Sequence, residues 1–185
     1  MPLQFKTLPS AKFIQMKIAE DKVVAVNYHL TAQMDGGPEE LVEQTSHERP
    51  FVFLSGYGGV LTEFENNLMG KHMGDKFDFR IKAESAYGNF EKDYIVQVDK
   101  KSFMIDGKFD DSRVKVGEDI EMNDQDGNQL IGRVKQVTDT FVEMDFNHPL
   151  AGFDLHFVGE ILEVRDATQE EIDHGHVHGP HGHHH

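Results

Sequence analysis

Apolar and polar positions alternate along several short stretches of this chain, at the period of two that marks half-buried strands. Val24, Val26, Tyr28 and Leu30 fall on one face of a strand predicted over 23–30, and Phe51 and Phe53 on one face of another. Over 76–83, Phe77, Phe79 and Ile81 alternate strictly with Lys76, Asp78, Arg80 and Lys82, the signature of an antiparallel strand with one wet, charged face. The stretch 155–164 also alternates, but Leu155, Phe157 and Ile161 compete with Val158, Leu162 and Val164, so the pattern leaves the core-facing side open. One helix interrupts the strands. Thr62 and Glu65 have the spacing of a capping box, Phe64 and Leu68 share a face, and Gly70 is placed to end it. A glycine-rich turn, 55–59, precedes that helix, and Met73-Gly74-Asp75 forms the next turn.

The block from Tyr94 to Phe146 has its own strand pattern. Ile120 and Met122 precede Asp124-Gln125-Asp126-Gly127, and Leu130, Ile131 and Val134 follow it. An Asp-Gly pair between apolar runs predicts a hairpin, because glycine takes the positive φ of the turn at low cost. Its acidic residues lack the full ligand spacing of a calcium loop. Val142, Met144 and Phe146 supply a further strand. Glu170 and Glu171 read as part of a short solvated helix, and His29, His47, His72 and His156 as surface or structural histidines. The predicted fold is α+β and mostly β: an antiparallel sheet on one short helix, with a small β-rich domain plugged into it.

Charge and composition narrow the function. The 185 residues carry a formal net charge of −15, which argues against nucleic acid or an anionic membrane as partner, since phosphate binding needs clustered Lys and Arg. There is no cysteine, so no disulfide and no thiol chemistry. No apolar run approaches the ~20 residues of a membrane span, and the first residues lack the apolar core of a secretory signal. The expectation is a soluble cytoplasmic protein, monomeric by default. Between Pro50 and Gly88 aromatic residues stand in an apolar frame without acid–base machinery, a composition suited to binding and desolvating rather than cleaving.

Several ordered motifs in that frame resemble the FKBP-type peptidyl-prolyl isomerases. They are VVAVNYHL with Tyr28, Val42-Glu43, PFVF, the glycine-rich turn before Val60-Leu61, Phe64, GKHMGDKFDF and the triplet Ala86-Tyr87-Gly88. More narrowly the chain resembles the bacterial SlyD branch. There the isomerase is interrupted after the AYG triplet by an inserted flap domain, resumes at a motif like Asn147-His148-Pro149-Leu150-Ala151-Gly152, and ends in a histidine-rich tail. The resemblance implies an extension over 1–18, a discontinuous FKBP-like domain over 19–88 and 147–168, a flap chaperone domain over 89–146 and a metal-binding tail over 169–185.

It also implies a reaction, rotation about X-Pro peptide bonds. The trans form is favoured by only ~0.5–1 kcal/mol, but the barrier is ~18–20 kcal/mol because rotation breaks amide resonance. The twisted transition state has lost the charge separation of the planar amide, so an apolar pocket favours it over a ground state well solvated in water. No cofactor is required. By resemblance, Tyr28, Phe51, Val60, Leu61, Phe64, Tyr87, Leu150 and Phe157 surround the proline, with Phe64 as the floor. The Leu61 amide and the Tyr87 hydroxyl bond substrate carbonyls, and His148 stands at the pocket edge. Two positions depart from the family: Phe64 where tryptophan is common, and Glu43 where aspartate is usual. Taken singly, Phe51, Phe64 and Phe157 would read as ordinary core and Glu43 as a surface charge; their joint order is what assigns them.

The tail makes a separate case. His174, His176, His178, His181, His183, His184 and His185 crowd the C-terminus, mostly spaced by glycine. Imidazoles at His-x-His spacing converge on borderline divalent ions, Cu²⁺ ahead of Ni²⁺ and Zn²⁺, and lose them as the rings protonate below ~pH 6.5. Only the last three residues look like a purification tag. The expected metal is Ni²⁺ or Zn²⁺, with Cu²⁺ a further candidate. By resemblance, the insert holds unfolded chains near the isomerase site, an effective-concentration effect. Expected partners are unfolded or proline-containing polypeptides and nickel-enzyme maturation proteins. A holdase, or a nickel storage and delivery protein with a vestigial pocket, stands as the alternative.

Overall fold

The structure, a computed structural model, describes residues 15–177. In chain order its strands are β1 (Lys22–Met34), β2 (Glu40–Gln44), β3 (Phe51–Leu54), β4 (Lys76–Ile81), β5 (Ile95–Asp99), β6 (Met104–Ile105), β7 (Lys108–Phe109), β8 (Asp119–Asn123), β9 (Gln129–Val137), β10 (Phe141–Asp145) and β11 (Phe153–Asp166). Its α-helices are α1 (Thr62–Leu68) and α2 (Gln169–His174). This is the strand-rich α+β architecture read from the alternation. The described residues form two compact units, one of 15–31, 41–80 and 156–177, the other of 32–40 and 81–155.

The first unit is built on a five-stranded sheet in the order β2-β1-β11-β4, with β3 also paired to β1. β1 and β3 run antiparallel, from Val23 opposite Leu54 to Val26 opposite Phe51. Val24, Val26, Tyr28 and Leu30 are buried as their period requires. On β11 the ambiguity resolves towards Leu155, Phe157 and Ile161, all buried, while Val158 is exposed. Gly159 decides this. A side chain there would meet the Asn27 carbonyl oxygen at 2.0 Å and Tyr28 Cα at 2.9 Å, so β11 lies against β1 where only glycine fits. Ile18, in the stretch read as an extension, is buried, donates to the Lys71 carbonyl at 2.8 Å and accepts from Gly70 N at 2.9 Å.

The second unit carries a four-stranded antiparallel sheet in the order β5-β10-β9-β8 and a small β6–β7 pair. Phe103, Val114, Ile120, Val134, Val142 and Met144 form its core. The Asp-Gly hairpin joins β8 to β9: Gly127 has φ 85°, and Asp124 Oδ1 accepts from Asp126 N and Asn128 N at 2.9 and 2.8 Å. The unit also takes in the two connectors, 81–88 and 147–155, because they bond to each other. Asp154 accepts from Lys82 Nζ and Ala83 N at 2.6 and 2.9 Å, and Gly88 O accepts from Gly152 N at 2.8 Å. Asn147 both accepts from Glu91 N and donates to Glu91 O, each at 2.9 Å.

Candidate active site

Phe64, on α1, is the hub of an aromatic cluster in the first unit and is only 2% exposed. Its ring centroid lies 4.9 Å from Phe157, 5.9 Å from both Phe53 and Phe79, 6.0 Å from Tyr28, 6.2 Å from Phe51 and 6.5 Å from Phe77. All six meet it edge-on or tilted, the geometry in which ring edges face ring π-clouds favourably. Four predicted site residues, Tyr28, Phe51, Phe64 and Phe157, are thereby brought together. Phe53, Phe77 and Phe79 belong to the same cluster and were not among them. Their signal was present: each stands two residues from a partner on its strand and so points to the same face.

Tyr28 connects this cluster to a carboxylate. Its hydroxyl donates to Glu43 Oε2 at 2.9 Å, while its backbone accepts from Thr45 N at 3.0 Å and donates to Thr45 Oγ1 at 2.9 Å. Glu43 lies on β2, exposed along its whole length, so the tyrosine hydroxyl gives this surface carboxylate a fixed partner. The residue that departs from the family's aspartate is therefore engaged with a predicted site residue.

Val60 and Leu61 are half-buried and lead into α1. The Leu61 amide stands at the open N-terminal end of the helix, where N–H groups have no partner within it. The predicted capping box does not form: Leu61 occupies the cap position with no side-chain cap, and Thr62 is already helical. Glu65 instead reaches back to the glycine-rich turn, where its Oε1 accepts from Ser55 Oγ at 2.8 Å and Gly56 N at 2.5 Å. Ser55 is fully buried and its hydroxyl requires a partner, a demand that outweighs the local cap. A second tether holds the turn. The Tyr57 hydroxyl donates to Asp21 at 2.6 Å, and that bond to a carboxylate pushes its pKa up to about 12.

The remaining predicted residues lie in the second unit. The rings of Tyr87 and His148 stack face to face, centroids 3.9 Å apart and planes 2° from parallel. The Leu150 amide donates to His148 Nδ1 at 3.0 Å. A backbone N–H can only donate, so Nδ1 is an acceptor and the neutral ring carries its proton on Nε2. Partial burial holds the His148 pKa below its ordinary value. Tyr87 itself is 39% exposed.

Of the tail, the described residues include His174 and His176, whose rings stack at 5.8 Å; His178, His181, His183, His184 and His185 lie outside them. Among the described residues no cluster of three or more His, Cys, Asp or Glu is placed to hold a metal ion. At the root of the tail, the reading of 170–171 as solvated needs correction. Glu171 is 1% exposed, paired through both carboxylate oxygens with Arg165 at 2.8 and 2.9 Å. It also closes a capping box with Thr168. Its charge is buried because Arg165 and the Thr168 amide together satisfy it.

In the first unit, a cage of rings with one phenol–carboxylate bond can desolvate a peptide segment; in the second, the phenol stacked on a neutral imidazole offers a hydroxyl donor. Residues 15–102 match the model of the FKBP-type peptidyl-prolyl cis-trans isomerase domain. The chain is 37% identical over 165 residues to the FKBP-type peptidyl-prolyl cis-trans isomerase SlyD of Yersinia pestis, covering 89% of this chain and 79% of that protein. It is 36% identical over 167 residues to the SlyD of Escherichia coli K12, covering 90% and 80%. To the SlyD of Haemophilus influenzae it is 34% identical over 167 residues, covering 90% and 82%. The chain belongs to the FKBP-type peptidyl-prolyl isomerases. Within that enzyme family its place is the SlyD branch.

Proposed function

We propose that this isomerase accelerates X-Pro rotation in folding chains, with the cage around Phe64 as the apolar seat for the proline. The observation that carries the reading is that six rings enclose Phe64. Apolar walls stabilise the twisted amide, which has lost the charge separation that water solvates in the planar form. In the first unit Tyr28, Phe51, Val60, Phe64 and Phe157 supply apolar contact, Glu43 orients the Tyr28 hydroxyl, and the Leu61 amide donates to a substrate carbonyl. In the second unit the resemblance to the family assigns substrate contact to Leu150 and the Tyr87 hydroxyl, and His148 stacks on the Tyr87 ring. No proton transfer or cofactor enters the step. The test is protease-free isomerisation of a fluorescent X-Pro peptide by the intact chain, Phe64→Ala and Tyr87→Phe. Acceleration lost in the variants supports the reading; no acceleration by folded intact protein overturns it.

Chaperone action by the insert is the second component of the proposal. Tyr94, Val96, Met104, Ile105 and Ile131 are exposed, and a cavity of about 700 Å³ is lined by Val96, Met104, Ile105, Met122 and Leu130. Methionine and aliphatic side chains can repack against varied unfolded segments. Suppression of aggregation that survives Phe64→Ala but not removal of 89–146 would support it. Metal binding by the tail is the third. The His-x-His spacing of the tail supplies several imidazoles, the side-chain ligands that suit borderline divalent ions such as Ni²⁺ or Zn²⁺. Nickel-enzyme maturation proteins are the corresponding partners, in the cytoplasm, with the chain acting as a monomer. Titration of Ni²⁺ into the full chain and into a chain ending at residue 173 tests this component.

A further inference from the structure

His148 makes two contacts that its neutral form alone can keep together. One face lies flat on Tyr87 at 3.9 Å, and Nδ1 accepts from the Leu150 amide at 3.0 Å. We infer that His148 is a pH-sensitive positioning residue: neutral, it holds the Tyr87 ring in the orientation used for substrate, and proton uptake at Nδ1 releases it. The inference rests on the reading of Tyr87 as a site residue.

The chemistry follows from donor and acceptor roles. An imidazolium has two N–H donors, so a protonated Nδ1 would point its hydrogen at the Leu150 N–H. Two donors facing each other lose the bond, and the ring must swing or the loop 148–150 must move. Either motion removes the coplanar support beneath Tyr87.

The charged residues that line the His148 cavity are already engaged with other partners. His148 lines a cavity of about 660 Å³ within the second unit, whose charged residues are Asp119, Arg133 and Asp145. Asp119 and Arg133 neutralise each other through two bonds of 2.8 and 2.9 Å. Asp145 Oδ1 accepts from Asn147 N and Nδ2 at 2.9 and 2.8 Å. The Tyr87 phenol and the Leu150 amide, both against the ring, are uncharged at neutral pH. The burial that lowers the His148 pKa is in keeping with a ring kept neutral under ordinary conditions.

The test is the pH profile of X-Pro isomerisation between about pH 8 and about pH 5, without a coupling protease, for the intact chain, His148→Phe and His148→Asn. Phenylalanine can stack but not titrate; asparagine can accept from the Leu150 amide but not titrate. The intact chain is expected to hold its rate at neutral pH and lose about threefold or more by about pH 5, with a midpoint below the ordinary histidine value of ~6.5. Both variants are expected to give flat profiles, with circular dichroism showing the fold retained throughout. A flat profile for the intact chain, or an equal loss in the variants, overturns the inference. Nitrogen-15 spectra of the histidines add a readout independent of activity: the neutral ring must carry its proton on Nε2, and the Tyr87 ring shifts must follow the His148 titration. A proton on Nδ1 overturns the inference even where activity varies with pH. Absence of catalysis at every pH with that coupling intact overturns the assignment of Tyr87 to the site, and the positioning role with it.

Discussion

The hydroxyl of buried Ser55 donates to Glu65 Oε1 at 2.8 Å, tying the turn that enters α1 to the helix itself. The same oxygen holds the Gly56 amide, so one carboxylate sets the path of 55–61 into Val60 and Leu61. Removing the acceptor is expected to cost more than removing the donor, because an unsatisfied buried group carries its desolvation penalty. Glu65→Ala should lose about 1–3 kcal/mol in denaturant unfolding and Ser55→Ala about 1 kcal/mol or less. Isomerase activity should fall further in Glu65→Ala. Equal costs for the two would contradict the role given to Glu65.

Phe64 is only 2% exposed and packs against six rings, so its size matters in both directions. Phe64→Ala is expected to cost about 3–5 kcal/mol by opening a cavity. Phe64→Trp restores the commoner family residue but must displace neighbours packed against a phenyl, costing about 1–3 kcal/mol. Urea midpoints measure both, and a Trp variant as stable as the parent would show that the cage relaxes freely.

Gly159 has no room for a methyl group. Gly159→Ala would place Cβ against the Asn27 carbonyl and Phe77, and backbone cannot yield as a side-chain tip can. The expected cost is about 3 kcal/mol or more, at the upper end for overpacking. At Gly132 the added Cβ would meet Phe146 and Met144 side-chain tips instead, so Gly132→Ala should be milder. Thermal melts of the two variants decide between backbone and side-chain confinement.

Glu171 ties α2 to β11 through Arg165. Glu171→Ala strands a guanidinium whose side chain is 36% exposed, so the cost should fall below that of a fully buried pair, about 2 kcal/mol. Hydrogen exchange at the Ile172 and Gly175 amides should accelerate in the variant while the amides of β1 keep their protection. Unchanged exchange would show that α2 does not depend on this pair.

Carboxylates in the second unit favour the folded state through their pKa values. Asp110, Asp119 and Asp124 are held below the usual carboxylate range, chiefly by the Ser112 hydroxyl, the Arg133 guanidinium and the Asn128 side-chain amide respectively. In the unfolded chain such groups titrate near ~3.9, so the unfolded state binds protons first as the pH falls. Their stabilisation is complete above about pH 5 and is lost progressively as the pH drops past the unfolded value of ~3.9 and through the lower folded values. Asp124→Ala should lower the melting temperature at neutral pH and reduce the further drop in acid. An unaltered acid response would mean that Asp124 does not contribute to it.

Much of this molecule was legible before folding. Alternation located β1, β3, β4 and β10, the Asp-Gly pair located the β8–β9 hairpin, and the ordered motifs pointed to the family, because these signals are local or nearly so. Tyr28, Phe51, Phe64 and Phe157 were named together from such motifs. What local pattern could not supply was choice among partners distant in sequence. The core face of β11 was settled by Gly159 meeting β1, and Glu65 left its cap for a buried serine ten residues back. Glu171 was buried because Arg165 lay opposite. His148 acquired its tautomer from the Leu150 amide, and its place on Tyr87 from a chain that returns after the insert. The sequence alone determined that β1, β3, β4, α1, the β8–β9 hairpin, β10 and β11 form, because hydrophobic period and turn chemistry act over a few residues. Only the tertiary structure decided where polar side chains go, because a buried donor or charge is satisfied by whichever group the fold brings within about 3 Å.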